Sequence, residues 1–204
     1  VALSGKPFST IKVPAAPADT VGGFKDVHSY DWFAEPVLWA VKNGITDGTA
    51  PGVFAPAKAC TQAQVLTFMW RANGSPKSTI RNTFKNLPDG QWYTDAIIWA
   101  SEKKLVEGYG SGKFGPDDDI TREQMAKILF AYTKLKGYDS SKANSLADYT
   151  DVGNISAWAL DAVKWANAMN LITGRTATTV VPGGNATRAE AATILMRYME
   201  NVVK

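Results

Sequence analysis

The chain has 204 residues, with 22 Lys and Arg against 19 Asp and Glu, one His and one Cys. A single cysteine excludes an internal disulfide, and together with a single histidine it excludes a zinc site built from Cys and His ligands. The net charge of +3 is too mild for a concentrated nucleic-acid-binding surface, and no apolar run reaches the roughly 18–20 residues that span a bilayer. We therefore expect a globular chain with no metal, no cofactor, no nucleic-acid partner and no membrane span.

Six of the seven tryptophans form three pairs whose members stand seven positions apart. The pairs are Trp32/Trp39, Trp92/Trp99 and Trp158/Trp165. Aliphatic, Gly, Pro and Thr positions recur behind each pair, which indicates three copies of one unit. We place repeat 1 at residues 24–77, repeat 2 at residues 84–137 and repeat 3 at residues 148–202, after a Pro- and Ala-rich leader at residues 1–23.

The first helix of each repeat is predicted at residues 32–43, 92–103 and 158–169. Tryptophans at i and i+7 lie on one face of such a helix. The second member of each pair stands mid-helix among aliphatic residues, and we expect it in the core: Trp39, Trp99 and Trp165. The first member stands at the first turn beside a loop, where it either contacts a ligand or caps the core: Trp32, Trp92 and Trp158.

A Gly- and Pro-rich loop follows each first helix. Gly44 and Asn170 suit the left-handed residue that closes a helix, whereas Lys104 is a poorer fit. One apolar residue in each loop is expected to hold it to the core: Phe54, Phe114 and Val180. Polar residues that recur ahead of the first helix are attributed to capping or loop hydrogen bonding rather than catalysis: Asp26, Asn86 and Asp151.

Each second helix begins with a capping box, in which an N-cap Thr is followed three residues later by Gln or Glu. The three boxes are Thr61–Gln64, Thr121–Gln124 and Thr187–Glu190. The residue before each Thr is apolar and forms a hydrophobic staple with the fourth helical residue. Cys60 takes this place in repeat 1, so we expect a buried, unreactive thiol there. Trp70 occupies a packing position of the same helix.

Arg122 and Arg188 follow the capping Thr, at a helical position that disfavours a cation by about 0.3–1 kcal/mol. The residues alone leave two explanations. One is an anionic ligand, held by the guanidinium together with free N–H groups of the helix start. The other is an ion pair with the upstream carboxylates Asp117–Asp119. Repeat 1 carries the neutral Gln62 at this position, so an anion bound there would lose a charge-assisted contact.

The recurring pattern resembles the S-layer homology (SLH) family. In repeat 1 the pattern is Phe24-x-Asp26-Val27, Trp32, Ala40, Gly44-Ile45, Gly48 and Phe54-x-Pro56, and in repeat 3 it includes Thr187-Arg188-Ala189-Glu190. Three tandem copies span about residues 24–200, nearly the whole chain. The resemblance implies an all-α fold in which three helix-loop-helix repeats form one pseudo-threefold SLH trimer, shaped like a three-pronged spindle.

The resemblance also implies a function. The family binds secondary cell-wall polysaccharides, often carrying pyruvate ketals, in grooves between repeats, and thereby anchors S-layer proteins and exoenzymes without a covalent bond. The Arg of the Thr-Arg-Ala-Glu motif contacts the acidic sugar in that family. We therefore expect ligand contacts at Arg122 and Arg188, weaker or silent ones at Gln62, and either sugar stacking or core capping at Trp32, Trp92 and Trp158. The expected location is the bacterial cell surface or cell wall, in a secreted larger surface protein.

A module that binds another protein of the cell envelope is the alternative function, because helical repeats also present grooves to peptides. An enzyme is not expected. A glycosidase needs two carboxylates about 5–10 Å apart. The available candidates, Asp148/Asp151 and Asp117–Asp119, are loop residues whose presence needs no catalytic explanation.

Overall fold

The computed structural model describes residues 19–203, in which six α-helices form the regular structure. They are α1 (Ala34–Lys42), α2 (Gln62–Ala72), α3 (Thr94–Glu102), α4 (Arg122–Lys136), α5 (Leu160–Ala168) and α6 (Arg188–Tyr198). A 3₁₀ turn at Val152–Asn154 precedes α5, and a π-helical turn at Met199–Val203 continues α6. Extended pairing within residues 19–203 is limited to isolated bridges, which confirms the predicted all-α class. Most of the predicted leader lies outside the described residues.

The first helix of each repeat begins two residues later than predicted. Trp32, Trp92 and Trp158 precede α1, α3 and α5, so the prediction that placed them in the first helical turn was wrong. Each lies instead inside a tight turn closed by a backbone hydrogen bond. The three bonds run from Ala34 N to Asp31 O at 3.0 Å, from Thr94 N to Gln91 O at 3.1 Å and from Ala159 N to Ser156 O at 2.8 Å.

The residue that closes each first helix is left-handed in all three repeats. Gly44 has φ 65°, Asn170 has φ 56°, and Lys104 adopts the same region with φ 56° although its Cβ is disfavoured there. We expect Lys104→Gly to raise the free energy of unfolding by about 1 kcal/mol, because Gly removes this steric cost. Urea denaturation measures the change. Asn170→Gly is the control and gains less, because Asn tolerates the left-handed region; a loss of stability in Lys104→Gly would contradict the explanation.

The start of each second helix confirms the predicted capping boxes. The Thr side chain accepts from the backbone N–H three residues later, and that residue's side chain accepts from the Thr N–H, in α2, α4 and α6 alike. The loop polar residues also act as expected. Asp26 accepts from Phe54 N and Ala55 N, and Asp151 accepts from Val180 N and Val181 N.

The residues just before the three capping Thr residues meet at one point in the core. Cys60 N donates to Ala186 O at 2.8 Å, Ile120 N to Cys60 O at 2.9 Å, and Ala186 N to Ile120 O at 2.9 Å. The hydrogen bonds therefore form a closed ring through all three repeats. The Cys60 side chain is fully buried, as predicted, and this burial raises the pKa of its thiol to about 12, so the group stays protonated and unreactive.

The helices pack across repeat boundaries. Helix α1 contacts α6, α3 contacts α2, and α5 contacts α4, so each first helix packs on the second helix of another repeat. Trp99 and Trp165 are buried in the core as predicted, whereas Trp39 is only partly buried at its edge, together with Trp70. The core prediction was therefore correct for two tryptophans and too strong for Trp39. No helix between residues 19 and 203 is long and apolar enough to cross a membrane.

Candidate functional site

Three surface grooves share one design, and each combines parts of all three repeats. One repeat supplies a loop and its second helix, another supplies the residue that follows its capping Thr, and the third supplies its exposed tryptophan. Groove A pairs Arg188 with Trp92 beside loop 46–49, groove B pairs Gln62 with Trp158 beside loop 104–109, and groove C pairs Arg122 with Trp32 beside loop 171–175. Their volumes are about 380, 400 and 350 Å³ respectively.

The three groove tryptophans are exposed rather than sealed into the core. Trp32 is 64% exposed, Trp92 53% and Trp158 50%. Two of them stand edge-on against the following residue, Trp32 against Phe33 and Trp92 against Tyr93. Each of these residues is thus at least half accessible. The sequence left two alternatives for them, ligand contact and core capping, and this exposure disfavours core capping.

The backbone N–H groups at the helix starts are not free, so this part of the sequence-based mechanism was wrong. Arg122 N donates to Gly184 O, Arg188 N donates to Lys58 O, and Gln62 N donates to Asp118 O, each in another repeat. The next N–H groups along each helix donate to Pro116 O, Pro182 O and Pro56 O. The capping Thr satisfies the third N–H. An anion in a groove must therefore be held by side chains.

Groove A contains a buried guanidinium that forms no ion pair with any carboxylate of residues 19–203. Arg188 is 1% exposed, its Nε donates to Phe54 O at 2.8 Å, and its guanidinium carbon lies 4.8 Å from the centre of the Phe54 ring. Its Nη2 is buried and has no hydrogen-bond partner within residues 19–203. Burial lowers the pKa of Arg188, and the charge of Asp26 opposes this shift. An arginine stays protonated under such a shift, so groove A carries a buried positive charge that forms no ion pair within residues 19–203.

Groove C contains the equivalent arginine in a different environment. Arg122 Nη1 donates to Glu190 Oε1 at 2.9 Å, its Nε to Val180 O at 2.9 Å and its Nη2 to Thr173 O at 2.7 Å. The ion-pair partner is thus Glu190 of repeat 3, and the pairing with Asp117–Asp119 considered from the sequence was wrong. The chain folds this way because α4 begins beside the loop of the next repeat.

Glu190 has a second cation beside it. Arg175 Nε donates to Glu190 Oε1 at 3.1 Å, and Arg175 Nη2 donates to Glu190 Oε2 at 2.7 Å. Burial raises the pKa of Glu190, but the hydrogen bonds from Arg175 and Thr187 N and the charge of Arg122 outweigh it and hold the pKa below its usual value. Glu190 is therefore ionised at neutral pH and neutralises part of the charge of groove C.

Groove B has no cation at the repeat positions that carry one in groove A or groove C. Gln62 Nε2 donates to the Tyr109 hydroxyl at 2.8 Å, and that hydroxyl donates to Asp118 Oδ2 at 2.7 Å. Asp118 stands where repeat 1 has Lys58, and Ala131 stands where α2 and α6 carry arginine. Groove B has two lysines of its own, Lys104 and Lys127, and Lys127 Nζ lies 4.8 Å from the centre of the Trp158 ring, but Glu107 also lines this groove and offsets one of them. Groove B is the least cationic of the three.

Several groove residues were missed in the sequence: Lys58, Arg71, Lys127, Arg175, Glu190 and Arg197. Arg71 and Arg197 occupy equivalent positions of α2 and α6, so a comparison of the repeats could have found them. Arg175 has no counterpart in the repeat pattern and required the structure. The described residues contain no group of three or more His, Cys, Asp or Glu that could hold a metal ion.

Comparison with known proteins identifies relatives over most of the chain. The family model of the S-layer homology domain matches residues 23–66, 87–126 and 148–192. The exoglucanase XynX of Acetivibrio thermocellus is 28% identical over 97% of the chain, and the surface-layer 125 kDa protein of Lysinibacillus sphaericus is 30% identical over 93%. The cellulosome-anchoring protein of Acetivibrio thermocellus is 36% identical over 49% of the chain.

The chain spans only 17%, 16% and 22% of the length of these three relatives. The exoglucanase XynX, the enzyme among these three relatives by name, is therefore much longer than the region that it shares with this chain. The exoglucanase and the surface-layer protein align with nearly the whole chain, which includes most of the region that the family model matches three times in tandem. The chain belongs to the S-layer homology domain family and is an anchoring module of the bacterial cell surface.

Proposed function

We propose that the chain binds an acidic secondary cell-wall polysaccharide, with a carboxylated sugar such as a pyruvate ketal, in its inter-repeat grooves. The observation that carries the proposal is the pairing of an exposed tryptophan with a guanidinium, Trp92 with Arg188 and Trp32 with Arg122. An aromatic face packs on the apolar face of a sugar ring, and a guanidinium attracts and hydrogen-bonds a carboxylate. The names of the surface-layer and cellulosome-anchoring relatives agree with such a role.

We also propose that the three repeats close into one pseudo-threefold unit, with repeat boundaries at 24–77, 84–137 and 148–202. The closed hydrogen-bond ring of Cys60, Ile120 and Ala186 supports this arrangement, as does the packing of α1 against α6, because both link repeat 3 back to repeat 1. Since every groove takes residues from all three repeats, binding requires the complete set. The chain is then a part of a longer secreted surface protein, as in its relatives.

Sedimentation with purified cell-wall sacculi tests the proposed function. The chain is expected to sediment with intact sacculi and to stay in solution once their secondary polymer has been extracted. A soluble sugar that carries a pyruvate ketal should compete for binding. Equal sedimentation with intact and extracted sacculi would overturn the polysaccharide proposal, and insensitivity to the acidic sugar would favour the alternative of a protein partner in the envelope.

Groove B is expected to contribute least, because it offers the acidic sugar a neutral amide. Charge-assisted hydrogen bonds are worth about 1.5–3 kcal/mol against about 0.5–1.5 kcal/mol for neutral ones. Gln62→Ala should therefore weaken the binding of the chain to sacculi by no more than about two- to tenfold, since about 1.4 kcal/mol corresponds to tenfold. Binding isotherms measure the change. A loss as large as that of an arginine variant, or tighter binding than wild type, would contradict the ranking of the grooves.

A further inference from the structure

The third residue of each second helix lines a groove and differs among the grooves. Groove A has Gln64, groove B has Gln124 and groove C has Glu190. All three side chains complete the same capping box by accepting from the N–H of the capping Thr. Since a neutral amide is sufficient for the cap in two of three helices, capping does not account for the negative charge of Glu190.

The charge of Glu190 instead acts on the two arginines of groove C. Its carboxylate accepts from Arg122 at 2.9 Å and from Arg175 at 2.7 and 3.1 Å. In groove A the equivalent arginine, Arg188, lines the groove together with Gln64, and no carboxylate within residues 19–203 lies at ion-pair distance from it. The same arginine position is therefore paired with a carboxylate in groove C but with none of residues 19–203 in groove A.

We propose that Glu190 is a built-in counter-anion of groove C. Its carboxylate lies beside Arg122 in the position where, in groove A, the carboxylate of an acidic sugar lies beside Arg188. The proposal rests on the function proposed above and makes Glu190 a specificity-determining residue of that site. An acidic sugar in groove C must compete with Glu190 for the arginines, so groove C binds it more weakly than groove A.

Free donors decide which arginine the sugar meets first in groove C. Each nitrogen of the Arg122 guanidinium already donates to an acceptor, whereas Nη2 of Arg188 in groove A has no acceptor within residues 19–203, and the Arg175 side chain of groove C is 34% exposed. Arg197 also lines the groove and donates to Asn170 O at 3.3 Å. The first anion contacts of groove C are therefore Arg175 and Arg197, neither of which belongs to the Thr-Arg-Ala-Glu motif, and Arg122 meets the sugar only where the sugar displaces Glu190.

Reciprocal exchange of the third helical residue tests the proposal. Glu190→Gln gives groove C the side chain of groove A, and Gln64→Glu gives groove A a counter-anion beside Arg188. The probe is the methyl glycoside of a hexose that carries a pyruvate ketal. The indole N–H signals of Trp32, Trp92 and Trp158 in ¹⁵N NMR spectra report on grooves C, A and B separately, and Trp→Phe variants assign them.

The probe is expected to bind at the Trp32 signal about tenfold more tightly in Glu190→Gln and at the Trp92 signal about tenfold more weakly in Gln64→Glu, the change expected for one charge-assisted contact. Glu35→Gln is the control. It makes the same chemical change at an exposed residue of α1 that lines none of grooves A, B and C, and should leave all three affinities unchanged.

The outcomes separate this inference from the function on which it rests. If the probe shifts no indole signal in the wild-type chain, the proposed function fails. If Trp92 responds in the wild type but neither exchange alters the affinity of its groove, the counter-anion inference is overturned and the function stands. Loss of folding in Glu190→Gln would not prevent the test, because Gln64→Glu adds an anion to groove A, where Arg188 forms no ion pair within residues 19–203, and decides the question alone.

Discussion

Arg188→Met is expected to lower the affinity for the wall polymer about tenfold or more while changing the free energy of unfolding by less than about 1 kcal/mol. The affinity falls because groove A loses its guanidinium. Stability changes little because two effects oppose each other. Met removes a buried charge that forms no ion pair within residues 19–203 and an Nη2 without an acceptor there, but it also removes the hydrogen bond to Phe54 O and the contact with the Phe54 ring.

Arg122→Met is the matched control, because the two arginines occupy the same position of α6 and α4. It should lower the free energy of unfolding by about 1–3 kcal/mol, since it breaks a nearly buried ion pair and two hydrogen bonds to carbonyls, while Arg175 still compensates Glu190. Urea denaturation and polymer binding isotherms measure both variants. Equal destabilisation of the two variants, or unchanged polymer affinity in Arg188→Met, would contradict the description of groove A.

Trp165→Ala is expected to destabilise the fold by about 3–5 kcal/mol, the cost of removing a large aromatic side chain from a core. Trp165 is fully buried, lies 5.2 Å from the Phe130 ring centre, and donates from its indole nitrogen to Asp139 O at 3.2 Å. The substitution therefore leaves a cavity between repeats 2 and 3 and an acceptor without its donor. Thermal or urea unfolding measures the loss.

Trp39→Ala provides the comparison at the same position of repeat 1. Its side chain is only partly buried at the edge of the core, so the substitution should cost about 1–2 kcal/mol, in proportion to the smaller apolar area removed from water. If both variants were destabilised equally, the unequal burial of these two positions would be contradicted. The pair also shows that a repeated sequence position does not imply a repeated environment.

Local features of the fold were predictable from the sequence because their causes are local. The capping boxes depend on four consecutive residues. Each Gly- and Pro-rich loop is held in place by one apolar residue and by a polar residue ahead of the first helix, whose side chain hydrogen-bonds the loop backbone. The start of the first helix was misplaced because the turn that contains each tryptophan has no Gly or Pro at that point to signal it. Lys104 shows that position in the fold overrides the intrinsic preference of a residue for φ.

The composition of the grooves was only partly predictable. The sequence identified Arg122, Arg188 and Gln62, and the tryptophans, but each groove joins residues separated by many tens of positions, and sequence spacing does not specify such contacts. The role of Glu190 shows the same limit. Its capping function is local and was predicted, whereas its ion pairs with Arg122 and Arg175 depend on how repeat 2 meets repeat 3.

The central claim is that acidic sugars are recognised by grooves that pair a tryptophan with an arginine. Calorimetric titration of the chain with purified wall polymer, before and after chemical reduction of the polymer's carboxylates, tests this claim most directly. The account predicts binding to the native polymer and a loss of affinity of at least about tenfold after reduction, because the charge-assisted contacts at grooves A and C disappear. Equal affinity for the native and the reduced polymer would contradict it.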